Sequence, residues 1–159
     1  MSGNVNLGRT QNWIFIIKLN IFLESQEKYL DDIENFMTRK LIAKLRCSDH
    51  KLEIEVGRHK NIPRDERVCR TCPNVVETEI HFLCECPSYK SLRQKIFNKE
   101  VIDTSHGEDI LACKEKAMSM RLGNYISKAS KIRESNIDAM NEHERTLKYI
   151  LERGFVVID

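Results

Sequence analysis

Glycine is sparse and scattered in this chain: the six residues stand singly, so there is no glycine-rich loop of the kind that cradles a nucleotide phosphate. No internal repeat and no low-complexity tract is present. Charge of either sign is nearly balanced, with 26 Lys and Arg against 24 Asp and Glu, so the whole molecule is not a polycation drawn to any anionic surface. Any basic patch must be local. Long apolar runs are missing too: the stretch from Trp13 to Leu23 is interrupted by Lys18 and Asn20 and falls short of the roughly 20 residues a membrane span requires. It is followed by Glu24-Ser25-Gln26-Glu27 without a small-residue cleavage site, which argues against a secretory leader. The chain is therefore expected to be soluble and intracellular, in nucleus or cytoplasm, with its six cysteines serving as metal ligands or buried thiols, oxidative pairing of Cys47, Cys84 and Cys113 staying open.

What is present suits one domain with a modest core, 159 residues with 41% apolar and 7% aromatic side chains. Leu30, Ile33, Met37, Leu41 and Leu45 recur every three or four positions and predict a core-facing amphipathic helix. Leu52, Ile54 and Val56 alternate with Glu53 and Glu55 and stop at Gly57, the pattern of a short extended segment. Between Pro63 and Pro87 periodicity is weak, with room for a short helix at Val76 to Phe82, and the cysteines crowd into what reads as a compact knuckle. Ser88 is a candidate N-cap for a helix holding Leu92 and Ile96. A loop is expected at Asp103 to Gly107, followed by a helical run with Ala117, Leu122, Ile126 and Ala129. A further short helix from about Glu142 to Glu152 ends at Gly154, before the apolar tail Phe155-Val156-Val157-Ile158. The expected fold is mainly α: residues 1–25 unassigned, 26–135 a helical domain around the cysteine knuckle, 136–159 a C-terminal helix and tail.

The chemistry-bearing constellation is Cys69-x2-Cys72 followed by His81-x4-Cys86. Two thiolates in one turn and a second pair after eight residues make the four nitrogen and sulfur ligands that tetrahedral zinc prefers. Four protein ligands leave no position for an activated water, so one structural Zn2+ is expected. Cys84 competes with Cys86: on a continuous helix it would lie about 60° around from His81 and Cys86 about 140°. Pro87, however, pushes Cys86 out of the α region and frees its sulfur to turn back. Cys86 is taken as the ligand, with Cys84 as its substitute.

The run Leu45 to Arg58, then Pro63 to Cys72, resembles the zinc-binding region beyond the polymerase in non-LTR (LINE-like) retrotransposon proteins. The likeness continues through Val76 to Leu83 and Cys86-Pro87-Ser88-Tyr89, then more loosely to Arg133, covering about residues 40–135. It implies His81 and Cys86 as the second ligand pair. Cys84 stands where that family usually has an apolar residue. The resemblance further implies an accessory segment that helps hold nucleic acid, here as a detached terminal fragment or a co-opted copy, since the family's polymerase and endonuclease chemistry belongs to other domains.

Residues 24–36 are acidic, whereas residues 39–72 carry ten cations against five anions. Lys51, Arg58, Lys60, Arg64, Arg67 and Arg70 are the candidates for contacting phosphates of RNA or DNA without reading sequence, with Phe82 and Tyr89 the aromatics near enough to stack on bases. An alternative is a protein-interaction module using the acidic helix around Asp31 to Glu34 and the apolar tail; another is an inert remnant of a mobile element. No enzyme is expected. Tyr29-Leu30-Asp31-Asp32 mimics a polymerase Tyr-x-Asp-Asp motif, but Ile33-Glu34-Asn35-Phe36-Met37 follows at helical period instead of a hydrophobic hairpin. His50, His59, His106 and His143 are isolated and read as surface or packing residues.

Overall fold

A computed structural model describes residues 28–97 and 104–153; residues 1–25 and the tail from Phe155 to Ile158 lie outside the described residues. The chain forms the mainly α architecture expected of it, with one two-stranded sheet among the described residues. No helix among them is long and apolar enough to cross a membrane.

The apolar period beginning at Leu30 produces two helices, not one: α1 (Lys28–Asp32) and α2 (Phe36–Arg46). Asn35 divides them. Its Oδ1 accepts the Thr38 N–H at 3.0 Å, capping α2, while the Arg39 guanidinium donates to the Leu30 and Ile33 carbonyls at 2.9 and 3.1 Å and braces the break. Ile42 and Leu45 bury, but Met37 stays exposed. Asp31 and Asp32 lie on a helix and not on a hairpin.

The extended segment expected at Leu52 to Val56 is instead helical, α3 (Glu53–His59). Glu77 supplies what starts that helix: its carboxylate accepts the Glu53 N–H at 2.7 Å and its carbonyl the Ile54 N–H at 3.3 Å, satisfying two donors that a helix N-terminus leaves open. Leu52, Ile54, Glu55 and Gly57 are all buried, so the alternation in sequence does not separate an inner from an outer face. The buried Glu55 carboxylate is matched by Arg58, whose Nε and Nη2 lie 2.7 and 2.6 Å from it.

Extended backbone appears later. Strands β1 (Val68–Cys69) and β2 (Cys72–Val76) pair antiparallel with Cys69 opposite Cys72 and Val68 opposite Val76, an irregular register that requires a bulge. Asn74, at φ 64°, takes the left-handed conformation within the bulged strand. The chain then makes a π-helical turn (His81–Glu85) and a 3-10 turn (Pro87–Tyr89), followed by α4 (Lys90–Ile96), α5 (Thr104–Ala112) and α6 (Lys116–Arg153).

Three further expectations are corrected here. Ser88 does not cap α4; it sits inside the 3-10 turn, where Pro87 takes the opening position. The loop expected up to Gly107 is helical from Thr104, because Gly107 serves close approach and not a turn: a Cβ there would lie 2.7 Å from Cys84 Sγ. The helix expected from Glu142 is the last part of α6, which runs 38 residues without a break. At the other end of α6, Gly123 lets α2 come so near that a Cβ would overlap the Thr38 methyl.

The core joins α2, α6 and the knuckle. Phe82 meets Tyr89 and Tyr125 edge-on, with ring centres 5.1 and 5.8 Å apart, and the Tyr125 hydroxyl donates to the Phe82 carbonyl at 2.6 Å. Burial raises both tyrosines well above the usual phenol range.

Candidate metal centre

The β1–β2 turn and the π-helical turn build the site between them. Cys69 and Cys72 face one another across the tight end of the hairpin, where Arg70 and Thr71 form the turn. Thr78 starts the second half, its Oγ1 accepting the His81 N–H at 3.0 Å. Cys86 N–H then donates to the His81 carbonyl at 2.8 Å, a bond spanning five residues. Closing a wider ring than an α turn sets the fifth residue over the first, as the fourth is in an α-helix, which returns Cys86 to His81. With ψ at 122°, Cys86 leaves the helix just before Pro87.

The His81 ring nitrogen and the sulfurs of Cys69, Cys72 and Cys86 all lie within 4.8 Å of one another, and all four residues are buried. Cys72 and Cys86 Sγ are 3.7 Å apart. His81 Nδ1 faces the Glu85 carboxylate at 3.3 Å, while Nε2 is buried with no partner at hydrogen-bond geometry, although the Cys69 thiol is near enough to raise the imidazole's pKa. A buried nitrogen lacking a donor or acceptor, beside three thiols with no disulfide among them, is an arrangement that could hold one metal ion.

The Thr71 hydroxyl sits among the sulfurs, 3.4 Å from Cys69, 3.9 Å from Cys72 and 3.7 Å from Cys86, and accepts from Ser88 Oγ at 3.0 Å. The hydroxyl is thus within reach of all three sulfurs. The Cys69 hydrogen bond, the Thr71 hydroxyl and the Ser88 N–H together bring the Cys86 thiol down to about 7 against the opposing effect of burial. Cys69 moves up, through the same bond to Cys86 and through burial.

Cys84 stands apart from the cluster, packed against Gly107 of α5. Cys47 is exposed and Cys113 half-buried. No family model, no curated protein and no solved structure matches the chain.

The six candidate cations fare differently. Lys60 and Arg64 are exposed and belong to no ion pair among the described residues. Arg58 and Arg70 are half-exposed but anchored, to Glu55 and, at 3.2 Å, to Glu53. Lys51 is exposed and 3.8 Å from Glu134. Arg67 turns inward: its Nε and Nη1 donate to the Ile62 and Ile54 carbonyls at 2.9 and 3.0 Å and its stem lies over Gly57, so it braces α3 instead of facing solvent. Phe82 and Tyr89, at 2% and 1% exposure, are core residues and offer no surface for a base to stack on.

Two further residues tie the knuckle to the helices. Arg133 of α6 makes a two-pronged pair with the Glu77 carboxylate, both contacts 2.7 Å, and Glu77 directly follows β2. Neither carries a sequence signal, since they lie 56 positions apart. His50 joins them as a packing residue through its Nε2 contact with Glu79 at 2.9 Å.

Proposed function

We propose that the chain is a zinc-stapled, non-enzymatic accessory module that holds nucleic acid by its phosphates, related to the zinc-binding region of non-LTR retrotransposon reverse transcriptases. The observation that carries the metal assignment is the donor set. Three sulfurs and one imidazole nitrogen suit zinc, and at about 2.3 Å per bond a tetrahedron sets neighbouring sulfurs about 3.8 Å apart, close to the 3.7 Å between Cys72 and Cys86. Cys69, Cys72, Cys86 and His81 Nε2 would hold the ion, with Glu85 fixing the imidazole through Nδ1 and the Thr71 hydroxyl within reach of the sulfurs. When bound, the ion cross-links the hairpin to the π-helical turn and leaves no coordination position for substrate.

The nucleic-acid reading is supported by Lys60 and Arg64, exposed on the segment joining α3 to the knuckle, with Arg58 in the last turn of α3 just before them. With both nearby aromatics buried, contacts to phosphate remain and base stacking does not. Binding to a duplex should then weaken steeply with salt, and Lys60→Ala/Arg64→Ala should flatten the slope of log affinity against log salt by up to about two units. Fluorescence anisotropy across a salt series measures this; an affinity indifferent to salt, or a double variant with an unchanged slope, would remove the phosphate-contact reading while leaving the metal site intact.

A further inference from the structure

We propose that the cavity between α2, the turn before α3 and α6 binds a small uncharged aromatic molecule carrying one hydroxyl, the chemical class of a phenol. The cavity holds about 240 Å³, and none of the four residues of the metal cluster lines it. Leu41 and Leu45 of α2, Leu52 and Ile126 of α6 form its apolar wall. A cavity of roughly 150 Å³ with a lining of this kind stays dry and takes up benzene, whereas sites for drug-sized ligands begin near 300 Å³. The space here therefore suits one substituted ring.

His50 supplies the polar end. Its side chain is 9% exposed and lines the cavity, with Nε2 held 2.9 Å from Glu79, a carboxylate outside the lining. Nδ1, on the other side of the ring, is buried and has no partner among the described residues. Buried polar atoms are rarely left unpaired, and a hydroxyl can donate or accept as the ring nitrogen requires. Charge sets the rest of the class. Lys44 lies 3.3 Å from Asp49 and Lys51 3.8 Å from Glu134, while Arg133 pairs with Glu77 at 2.7 Å. Each lysine and arginine of the lining is thus matched by a carboxylate, and the site asks for no net charge in its occupant.

NMR titration of the isotopically labelled full chain with p-cresol tests this. Expected is saturable binding of one molecule per chain, roughly tenfold tighter than p-xylene, in which a methyl group replaces the hydroxyl, and tighter than the anion p-toluate. Ser130→Phe sets a ring into the cavity from α6 and should abolish binding while the circular dichroism stays that of the parent; Leu41→Phe fills the same space from α2 should Ser130→Phe not fold. Absence of saturable p-cresol binding, p-xylene or p-toluate binding as tightly, or undiminished binding in a folded Ser130→Phe or Leu41→Phe chain would each overturn the inference.

Discussion

Replacing Arg133 by Met should be among the most damaging single changes outside the proposed metal ligands. The Glu77 carboxylate is 2% exposed and Arg133 11%, so the pair sits where water cannot replace a lost partner. Breaking a buried pair from one side costs about 3–5 kcal/mol, because the remaining charge is left uncompensated. Here the lower end applies: Glu77 keeps the Glu53 N–H at 2.7 Å, so its oxygen retains one donor. We expect a loss of about 3 kcal/mol in urea unfolding with metal bound, a large part of the roughly 5–15 kcal/mol a domain possesses. Glu77→Gln should also destabilise, since it weakens both the pair and the start of α3, and Glu77→Gln/Arg133→Met should cost less than the two single losses added together. A loss below about 1 kcal/mol in Arg133→Met, or strict additivity in the double variant, would refute the argument that this pair couples knuckle to helix.

Thr71→Val preserves side-chain shape but removes the hydroxyl that faces three sulfurs; it should weaken metal affinity by about 10–100-fold in competition with a chromophoric chelator, and an unchanged affinity would make Thr71 a packing residue. Tyr89 and Tyr125 have folded pKa values raised by burial, so their contribution is fully present below the ordinary phenol value of about 10 and is lost as pH rises through the folded values. Stability should therefore fall above pH ~10, with the tyrosinate absorbance of these two appearing together with unfolding; early titration of all the tyrosines in folded protein would contradict their burial.

The legible parts of this molecule were those encoded locally. Cys69 and Cys72 need only one tight turn to meet, and His81 with Cys86 was readable by residue type. Choosing Cys86 over Cys84 depended on backbone geometry: α periodicity favours Cys84, and the five-residue bond from Cys86 to His81 reverses that order. Leu52 to Val56 misled because Glu77, more than 20 positions away, supplies the acceptors that make the segment helical. Arg67 read as one more exposed cation, yet the space over Gly57 and two carbonyls draws it inward. Gly107 closes the loop expected from Asp103, yet it lies within α5, where its use is close approach to Cys84. Only the Asn35 cap was local and overlooked, its Oδ1 meeting the N–H three residues on.

The central claim, a structural zinc held by Cys69, Cys72, His81 and Cys86, is tested most directly by metal content per chain. Protein purified under reducing conditions, with Cys84→Ser and Cys86→Ser variants beside it, should give about one zinc per chain in the parent and in Cys84→Ser, and much less in Cys86→Ser. A parent chain without zinc that keeps its helical circular dichroism, or zinc lost with Cys84 and retained without Cys86, would contradict the account.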